Sequence, residues 1–337
     1  MAVTNNGRGA DMAILHRKRT ADTRRRPLRL AAGGLVVAVA LAVLGRVDPV
    51  RAASELRVLP VTATTFAIVG ELAQRSADNL ANNATFGVID TDAGLVLVDP
   101  GGSRKGAAAL DAAIATVSDK PVVLVIDTGG QDHRWLGNAY WMERGARVIA
   151  SAAAVADQKS RASLQFTMLG QLLGSALDGT EAIHAPETFE DRMEIEVGGR
   201  RIEIVHPAPA HTPGDSFVWL ADERVVFSGD IVFADRLLGL LDVSSLRGWI
   251  EAFEAIAALK PAHIVPGHGE PVDLARAQAD TLAYLVNLRD RMRAHIEAGG
   301  DMIGSVEVDQ QAFAHLFQFE ALAKRNAQQA FSEIEWE

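Results

Sequence analysis

Four short stretches of this 337-residue chain place a histidine or an aspartate beside glycine or proline, close behind an apolar run. In chain order they are QDH at 131–133, PAHTPGD at 209–215, FSGD at 227–230 and PGHGEP at 266–271. Apolar runs bounded by glycine and proline predict strands that end in tight turns. Such turns can bring side chains from several strand ends to one point, so these stretches constrain the fold more than any other feature.

The segments between these stretches alternate between strand and helix patterns. The predicted strands are residues 86–90, 95–98, 122–127 and 147–151, a hairpin of 193–197 and 200–206 turning at Gly198-Gly199, and the pair 216–222 and 224–230. The predicted helices are residues 106–117, one beginning near 136, 152–180 and 249–259, and the chain is mainly helical from residue 272. Residues 152–180 fit an inserted lid as well as a core helix. The alternation predicts an α/β or mixed α+β fold.

The first 52 residues predict a targeting segment. Arg24, Arg25, Arg26 and Arg29 precede an uncharged, mostly apolar run at 30–45, and a small-residue exit, VRAA, follows at 50–53. This order is typical of a secretory signal peptide, and the run is shorter than the roughly 20 residues that span a bilayer. TRRRPLR also resembles a twin-arginine export signal. An uncleaved N-terminal anchor is the alternative. Either reading predicts a periplasmic or secreted body.

Charge and cysteine content exclude several classes of function. The formal charge is −10 overall, and residues 1–52 hold ten Lys/Arg against three Asp/Glu, which leaves −17 on the remainder. An acidic body repels phosphate, so we predict no nucleic-acid partner and no membrane contact except through an uncleaved N-terminal segment. With no cysteine, a metal site must use histidine and carboxylate. A small-molecule substrate is the predicted partner.

The four stretches, in this order, resemble the metallo-β-lactamase superfamily. Its members show a THxHxDH motif, then a GHTPGD-like histidine, a GD aspartate and a PGHG histidine. The segment ANNATFGVIDTDAGLVLVDPGGS resembles the opening hairpin of that superfamily, and LGN at 136–138 with NAQQAFSEIEWE at the end resembles exported hydrolases of quinoprotein-relay and sulfur-oxidation gene clusters. The resemblance implies a four-layer αββα sandwich. It divides the chain into a leader at 1–52, a metallo-β-lactamase-like domain at 53–275 and a packed C-terminal helical segment at 276–337.

The first motif departs from the family pattern. DTGGQDH, at 127–133, lacks both leading histidines of THxHxDH. If the motif is anchored on Asp132-His133, their places fall on Thr128 and Gly130, and if it is anchored on Thr128, they fall on Gly129 and Gln131. The resemblance therefore leaves the first of two family metal sites with His211 and Asp230 alone. The second site keeps Asp132, His133, Asp230 and His268.

These residues predict a centre with one metal, for which zinc is the default ion. The predicted ligands are Asp132, His133, Asp230 and His268, with His211 as a further candidate. Asp132 is also the expected base that orients the attacking water. His211 is expected either to act as a proton shuttle or oxyanion donor or merely to hydrogen-bond Asp230. Asp99, Asp127 and Gln131 are the expected supporting residues around the ligands.

Three functions remain open on the sequence alone. The first is an exported zinc hydrolase that attacks an ester, thioester or lactam carbonyl. The second is a non-catalytic metal-binding or accessory protein that kept the fold with a reduced site. The third is a mononuclear iron dioxygenase of the persulfide type, which the loss of first-site histidines disfavours. The oligomeric state is left open.

Overall fold

A computed structural model describes residues 55–337, all within one compact unit, Pro49–Glu337. The predicted leader lies outside the described residues. Twelve strands form two sheets in this part of the chain. The first sheet holds seven strands in chain order, namely β1 (Arg57–Pro60), β2 (Thr65–Val69), β3 (Thr85–Thr91), β4 (Gly94–Val98), β5 (Val122–Asp127), β6 (Arg147–Ser151) and β7 (Glu187–Phe189).

The second sheet holds five strands in the order β12-β11-β10-β9-β8. Their bounds are β8 (Arg192–Val197), β9 (Arg200–Val205), β10 (Phe217–Leu220), β11 (Val225–Phe227) and β12 (His263–Val265). Strands β4 to β7 pair in parallel, and so do β11 and β12, whereas the other pairs are antiparallel. The carboxyl ends of the parallel strands β5 and β11 each lead into one of the four predicted loops, and so does the end of β12.

Seven helices cover the two sheets within the described range. They are α1 (Arg104–Ile114), α2 (Asn138–Met142), α3 (Ala152–Leu173), α4 (Leu246–Ala258), α5 (Leu274–Ala277), α6 (Ala283–Glu297) and α7 (Phe319–Ile334). A wider helical turn at Gln278–Leu282 joins α5 to α6. Three of the helices begin at serine caps, because the side chains of Ser103, Ser151 and Ser245 accept a backbone N–H of the first turn.

Alternation of apolar side chains on the strands produces three buried layers. The middle layer lies between the sheets and joins residues such as Ile89 and Ile126 of the first sheet to Val218 and Val265 of the second. A second layer packs the first sheet against α1 to α3, and a third packs the second sheet against the helices from α4 onward. The predicted four-layer αββα sandwich is therefore confirmed.

The C-terminal helices share the core of the second sheet. Ala327, Phe331 and Ile334 of α7 belong to the same buried cluster as Trp249 of α4 and Ile264 of β12. Helix α7 thus packs on the second sheet and α4. Among residues 55–337, no helix combines the length and apolar character that a membrane crossing requires.

Candidate functional site

Loops from both sheets meet at one edge of the sandwich. His133 follows β5 in a short helical turn, Asp132–Arg134, and Asp230 follows β11 in a similar turn, Gly229–Ile231. His268 lies in the loop after β12, and the backbone of Phe233 forms an isolated bridge with it. The residues His133, Asp230 and His268 are each at most 3% exposed. Strand ends therefore bring three of the predicted ligands into one buried group.

The ligand atoms of His133, Asp230 and His268 all lie within 4.8 Å of one another. His133 Nε2 is 3.2 Å from Asp230 Oδ2, and His268 Nε2 is 3.2 Å from Asp230 Oδ1. Ligands about 2.0 Å from a tetrahedral zinc are about 3.3 Å apart, and the two nitrogen–oxygen distances, one to each carboxylate oxygen, are close to that value. Burial opposes ionisation of Asp230, but Arg134 and His133 outweigh it and hold the pKa of that carboxyl well below its usual range.

Asp132 lies behind His133 rather than within this group. Its carboxylate forms an ion pair with Arg75, with Oδ2 2.5 Å from Nε and Oδ1 2.6 Å from Nη2. Two groups lie against His133 Nδ1, the nitrogen that faces away from Asp230: Asp132 Oδ1 is 3.1 Å away, and Arg75 Nη2 is 3.3 Å away. Burial opposes ionisation of Asp132, yet Arg75 and His133 hold the pKa of that carboxyl far below its usual value. A carboxylate on the outer nitrogen of a ligand histidine is a common support in metal sites.

His268 has a different outer partner. Arg236 Nη1 is 3.0 Å from His268 Nδ1, and arginine can only donate, so this nitrogen accepts. Burial lowers the pKa of His268 well below its usual value, and Arg236 lowers it further, so the imidazole is neutral. A neutral ring that accepts at Nδ1 carries its proton on Nε2, where it points at Asp230. A metal at this nitrogen would displace that proton.

Arg134 links Asp230 to the neighbouring loops through hydrogen bonds. Its side chain is fully buried, with Nη1 2.7 Å from Asp99 Oδ2 and Nη2 2.7 Å from Asp230 Oδ1. It also donates to the backbone carbonyls of Thr85, at 3.1 Å, and Gly267, at 2.8 Å. One guanidinium therefore links the loops that carry His133, Asp230 and His268.

The expected supporting residues occupy distinct places. Asp99 accepts from the backbone N–H and the hydroxyl of Thr128, each at 2.8 Å, besides Arg134, and so braces the start of the first motif. Asp127 is buried and its Oδ2 accepts a hydrogen bond from Asn138 Nδ2 at 2.7 Å. Burial raises the pKa of this carboxyl well above its usual value. Gln131 lines the cavity above the site, where its Oε1 has no hydrogen-bond partner among the described residues.

His211 lies on the same cavity but outside the group of three ligands. Its ring packs against Trp249 and Phe233, with centroids 5.2 and 5.9 Å away. Its Nδ1 is buried and has no hydrogen-bond partner within residues 55–337. Burial lowers the pKa of His211 to about 4, so its imidazole is neutral at pH 7. The ligand roles predicted for Asp132 and His211 stay predictions.

The places of the missing histidines are largely closed by other side chains. A Cβ on Gly129 would overlap Asp215 Oδ1, and a Cβ on Gly130 would overlap Asp157 Oδ2. Asp215 is held by the backbone N–H and hydroxyl of Thr212, and burial raises its pKa to about 8. Two carboxylates thus occupy the space into which residues 129 and 130 would project.

Substitution Gly129→Ala is expected to lower the free energy of unfolding by about 1–3 kcal/mol, because the added carbon meets the buried Asp215 carboxylate. Gly170→Ala is the control: nothing lies within 4 Å of its added carbon, and alanine in α3 is expected to stabilise by about 0.5–1 kcal/mol. Urea unfolding measures both changes. Equal stability of the two variants would show that the space beside Gly129 is free.

The arginines around the site were missed by sequence reasoning. Arg75, Arg134 and Arg236 contact Asp132, Asp230 and His268 respectively, and none of them was predicted as a site residue. Arg134 follows His133 directly, so its position within the first predicted motif loop could have marked it as a site residue. Arg75 and Arg236 are 57 and 32 residues from their partners, and no local pattern marks them.

Residues 81–268 match the model of the metallo-β-lactamase superfamily, and the chain belongs to that superfamily. The linear primary-alkylsulfatase of a Pseudomonas species is 24% identical over 241 residues, 59% of this chain and 45% of that protein. A β-lactamase-like protein 2 homolog of Caenorhabditis elegans is 26% identical over 137 residues, 41% of this chain and 44% of its own length. The chain thus spans about half the length of these curated relatives.

Solved structures share the fold at low identity. A metallo-β-lactamase from Pontibacter korlensis superposes with a TM-score of 0.53 at 19% identity, covering 66% of this chain and 96% of its own. A double mutant of the sec-alkyl sulfatase PisA1 gives a TM-score of 0.66 at 15% identity, covering 82% of this chain and 50% of its own. These similarities support a hydrolase-type fold and leave the substrate to be argued from the site.

Proposed function

We propose that this chain is a metal-dependent hydrolase that holds one divalent ion, zinc by default, through His133, Asp230 and His268. The observation that carries the proposal is the buried group of these three side chains, whose ligand atoms lie within 4.8 Å of one another and include two imidazole nitrogens, each 3.2 Å from one oxygen of the Asp230 carboxylate. Two imidazoles and a carboxylate are a donor set suited to zinc. Two arginine contacts oppose the fit: Arg236 donates to the outer nitrogen of His268, and Arg134 donates to both carboxylate oxygens of Asp230.

Held by these three residues, a zinc ion would lower the pKa of a water molecule to about 7, which would suit hydrolysis of an ester, thioester or lactam. In our proposal, Asp132 orients His133 from behind through Nδ1 and keeps Arg75 in place. His211 accepts a proton at Nδ1, the buried atom that lacks a partner among the described residues. Arg134 fixes the relative positions of the ligand loops.

Turnover of a substrate panel tests the proposal. Purified full chain is assayed against ester, thioester and lactam substrates, with a sulfate ester added because two relatives are named as alkylsulfatases. We expect hydrolysis of at least one class, at least about tenfold slower after chelation and recovered when zinc is restored. Protein that binds zinc yet hydrolyses none of the panel would argue against the proposal.

A second candidate is the non-catalytic accessory protein, and one observation favours it. The Arg236–His268 contact places a proton on His268 Nε2, directed at Asp230, so the cluster is hydrogen-bonded without an ion. On this account the fold serves as a binding scaffold. Metal that fails to bind tightly would select this candidate.

Export is part of the proposal and rests on the N-terminal sequence alone. The charged region, apolar run and VRAA exit within residues 1–53 support a secretory or twin-arginine signal, with an anchor facing the periplasm as the alternative. Fractionation of the producing cell tests it. We expect the protein in the periplasm or medium, shortened by about 50 residues.

A further inference from the structure

Arg236 is a buried cation without a carboxylate partner among residues 55–337. The residue is 5% exposed, and the one side-chain hydrogen bond that it makes within the described residues runs from Nη1 to His268 Nδ1. Its Nε is buried and has no hydrogen-bond partner in the described part of the chain. Buried arginines are normally paired, since an unpaired buried charge is costly. This guanidinium therefore has free capacity for an anion.

Arg236 lines a small cavity in which an oxyanion would fit. The cavity has a volume of about 90 Å³ and is lined by Arg236 together with Gln131, His133, His211 and His268. Arg325, an exposed residue of α7, lines the same cavity and forms no ion pair within the described residues. Two arginines without carboxylate partners thus border one small polar space.

An apolar groove adjoins this polar space. A cavity of about 490 Å³ shares Gln74, Arg75, Gln131, Leu241 and Arg325 with the smaller one. Its wall includes Leu164, Met168 and Leu172 of α3, which are 57%, 53% and 49% exposed. Their spacing of four residues puts them on one helix face, along about 12 Å of the axis.

The carboxylates that line the groove do not neutralise the charges of Arg236 and Arg325. Asp132 is held by Arg75, and Asp242 is exposed to solvent. The arginine pocket is therefore the better place for an anionic group, and the α3 face the better place for a hydrocarbon chain, because burial of apolar surface is favourable.

We propose that this cleft binds an amphiphilic anion, with its oxyanion head on Arg236 and Arg325 and its alkyl chain along Leu164, Met168 and Leu172. The inference rests on the proposed function in taking this cleft as the substrate site, and it adds the substrate class. A head group of sulfate or carboxylate type shares the required chemistry, since guanidinium donors bind either as bidentate partners.

Binding to metal-free full chain tests the inference apart from turnover. Calorimetric titrations use octyl sulfate below its micelle-forming concentration, octanoate, butyl sulfate and octanol. We expect octyl sulfate or octanoate to bind about 10- to 100-fold more tightly than octanol, which lacks the anion, and octyl sulfate to bind about 10- to 100-fold more tightly than butyl sulfate. Equal affinity for octanol and both octyl anions would overturn the proposal.

Variants assign the two ends of the ligand. Arg236→Met is expected to weaken octyl anion binding about 10- to 100-fold, whereas Arg247→Met, at an arginine whose side chain is 73% exposed, should leave it unchanged. Met168→Asp, on the exposed face of α3, is expected to weaken it about tenfold or more without unfolding the chain. Wild-type affinity in Met168→Asp or in a folded Arg236→Met would contradict the assigned end. A loss of hydrolysis alone would bear on the proposed function and leave these affinities intact.

Discussion

Substitution Arg134→Met is expected to lower the free energy of unfolding by about 3–5 kcal/mol, the largest stability effect that the site predicts. Arg134 is fully buried and donates to Asp99, Asp230 and the carbonyls of Thr85 and Gly267. Methionine has a similar reach but no donors, so two buried carboxylates and two carbonyls would lose a partner. Removal of one member of a buried ion pair leaves the other charge uncompensated.

Urea unfolding of Arg134→Met beside Arg247→Met measures this effect. Arg247 has an exposed side chain 3.8 Å from Glu251, and loss of such a pair changes stability by about 0–1 kcal/mol. Arg134→Lys should fall between wild type and Arg134→Met, because lysine keeps the charge but cannot reproduce the planar fork of donors. A loss of less than about 1 kcal/mol in Arg134→Met would show that the network does not hold the loops together.

Substitution His268→Ala is expected to reduce kcat/KM at least about 100-fold on any substrate that the wild-type protein hydrolyses. Loss of a residue that only supports a ligand commonly costs 10- to 100-fold in affinity or activity, and loss of a ligand should exceed that. His268 supplies one of the three buried ligand atoms and is 3.2 Å from Asp230. With two protein ligands left, the centre has too few to hold the ion firmly.

The matched control is His263→Ala. His263 is exposed at the start of β12, five residues before His268, and no hydrogen bond or ion pair of its side chain occurs within the described structure. We expect wild-type kcat/KM for this variant. Full activity in His268→Ala, with the fold intact by circular dichroism, would exclude the metal centre as the source of turnover.

The strands and the loops after them could be predicted from the sequence, because local patterns encode them. Residues 122–127 form β5 as the sequence predicted, and the hairpin at Gly198-Gly199 joins β8 to β9. The convergence of His133, Asp230 and His268 follows from strand ends at one edge of the sandwich. Helix bounds were less accurate: α1 begins at Arg104 and ends at Ile114, where the pattern predicted 106–117.

The charge network could not be predicted, because it depends on contacts between distant segments. The motif predicted Asp132 as a metal ligand, but its carboxylate forms an ion pair with Arg75, which is 57 residues away in the sequence. The sequence did not decide whether residues 152–180 form a lid or a core helix. In the structure, one face of α3 is buried and another is exposed. Leu169 is buried against Trp135, whereas Leu164, Met168 and Leu172 are exposed to the groove.

The metal content of the purified protein tests the central claim most directly. Elemental analysis combined with native mass spectrometry would be applied to wild type, Asp132→Ala and His268→Ala. We expect about one divalent ion per wild-type chain, its loss in His268→Ala, and weaker retention in Asp132→Ala, where only the outer support of His133 is removed. No tightly held ion in the wild type, or an unchanged ion in His268→Ala, would contradict the proposed centre and favour the accessory binding protein.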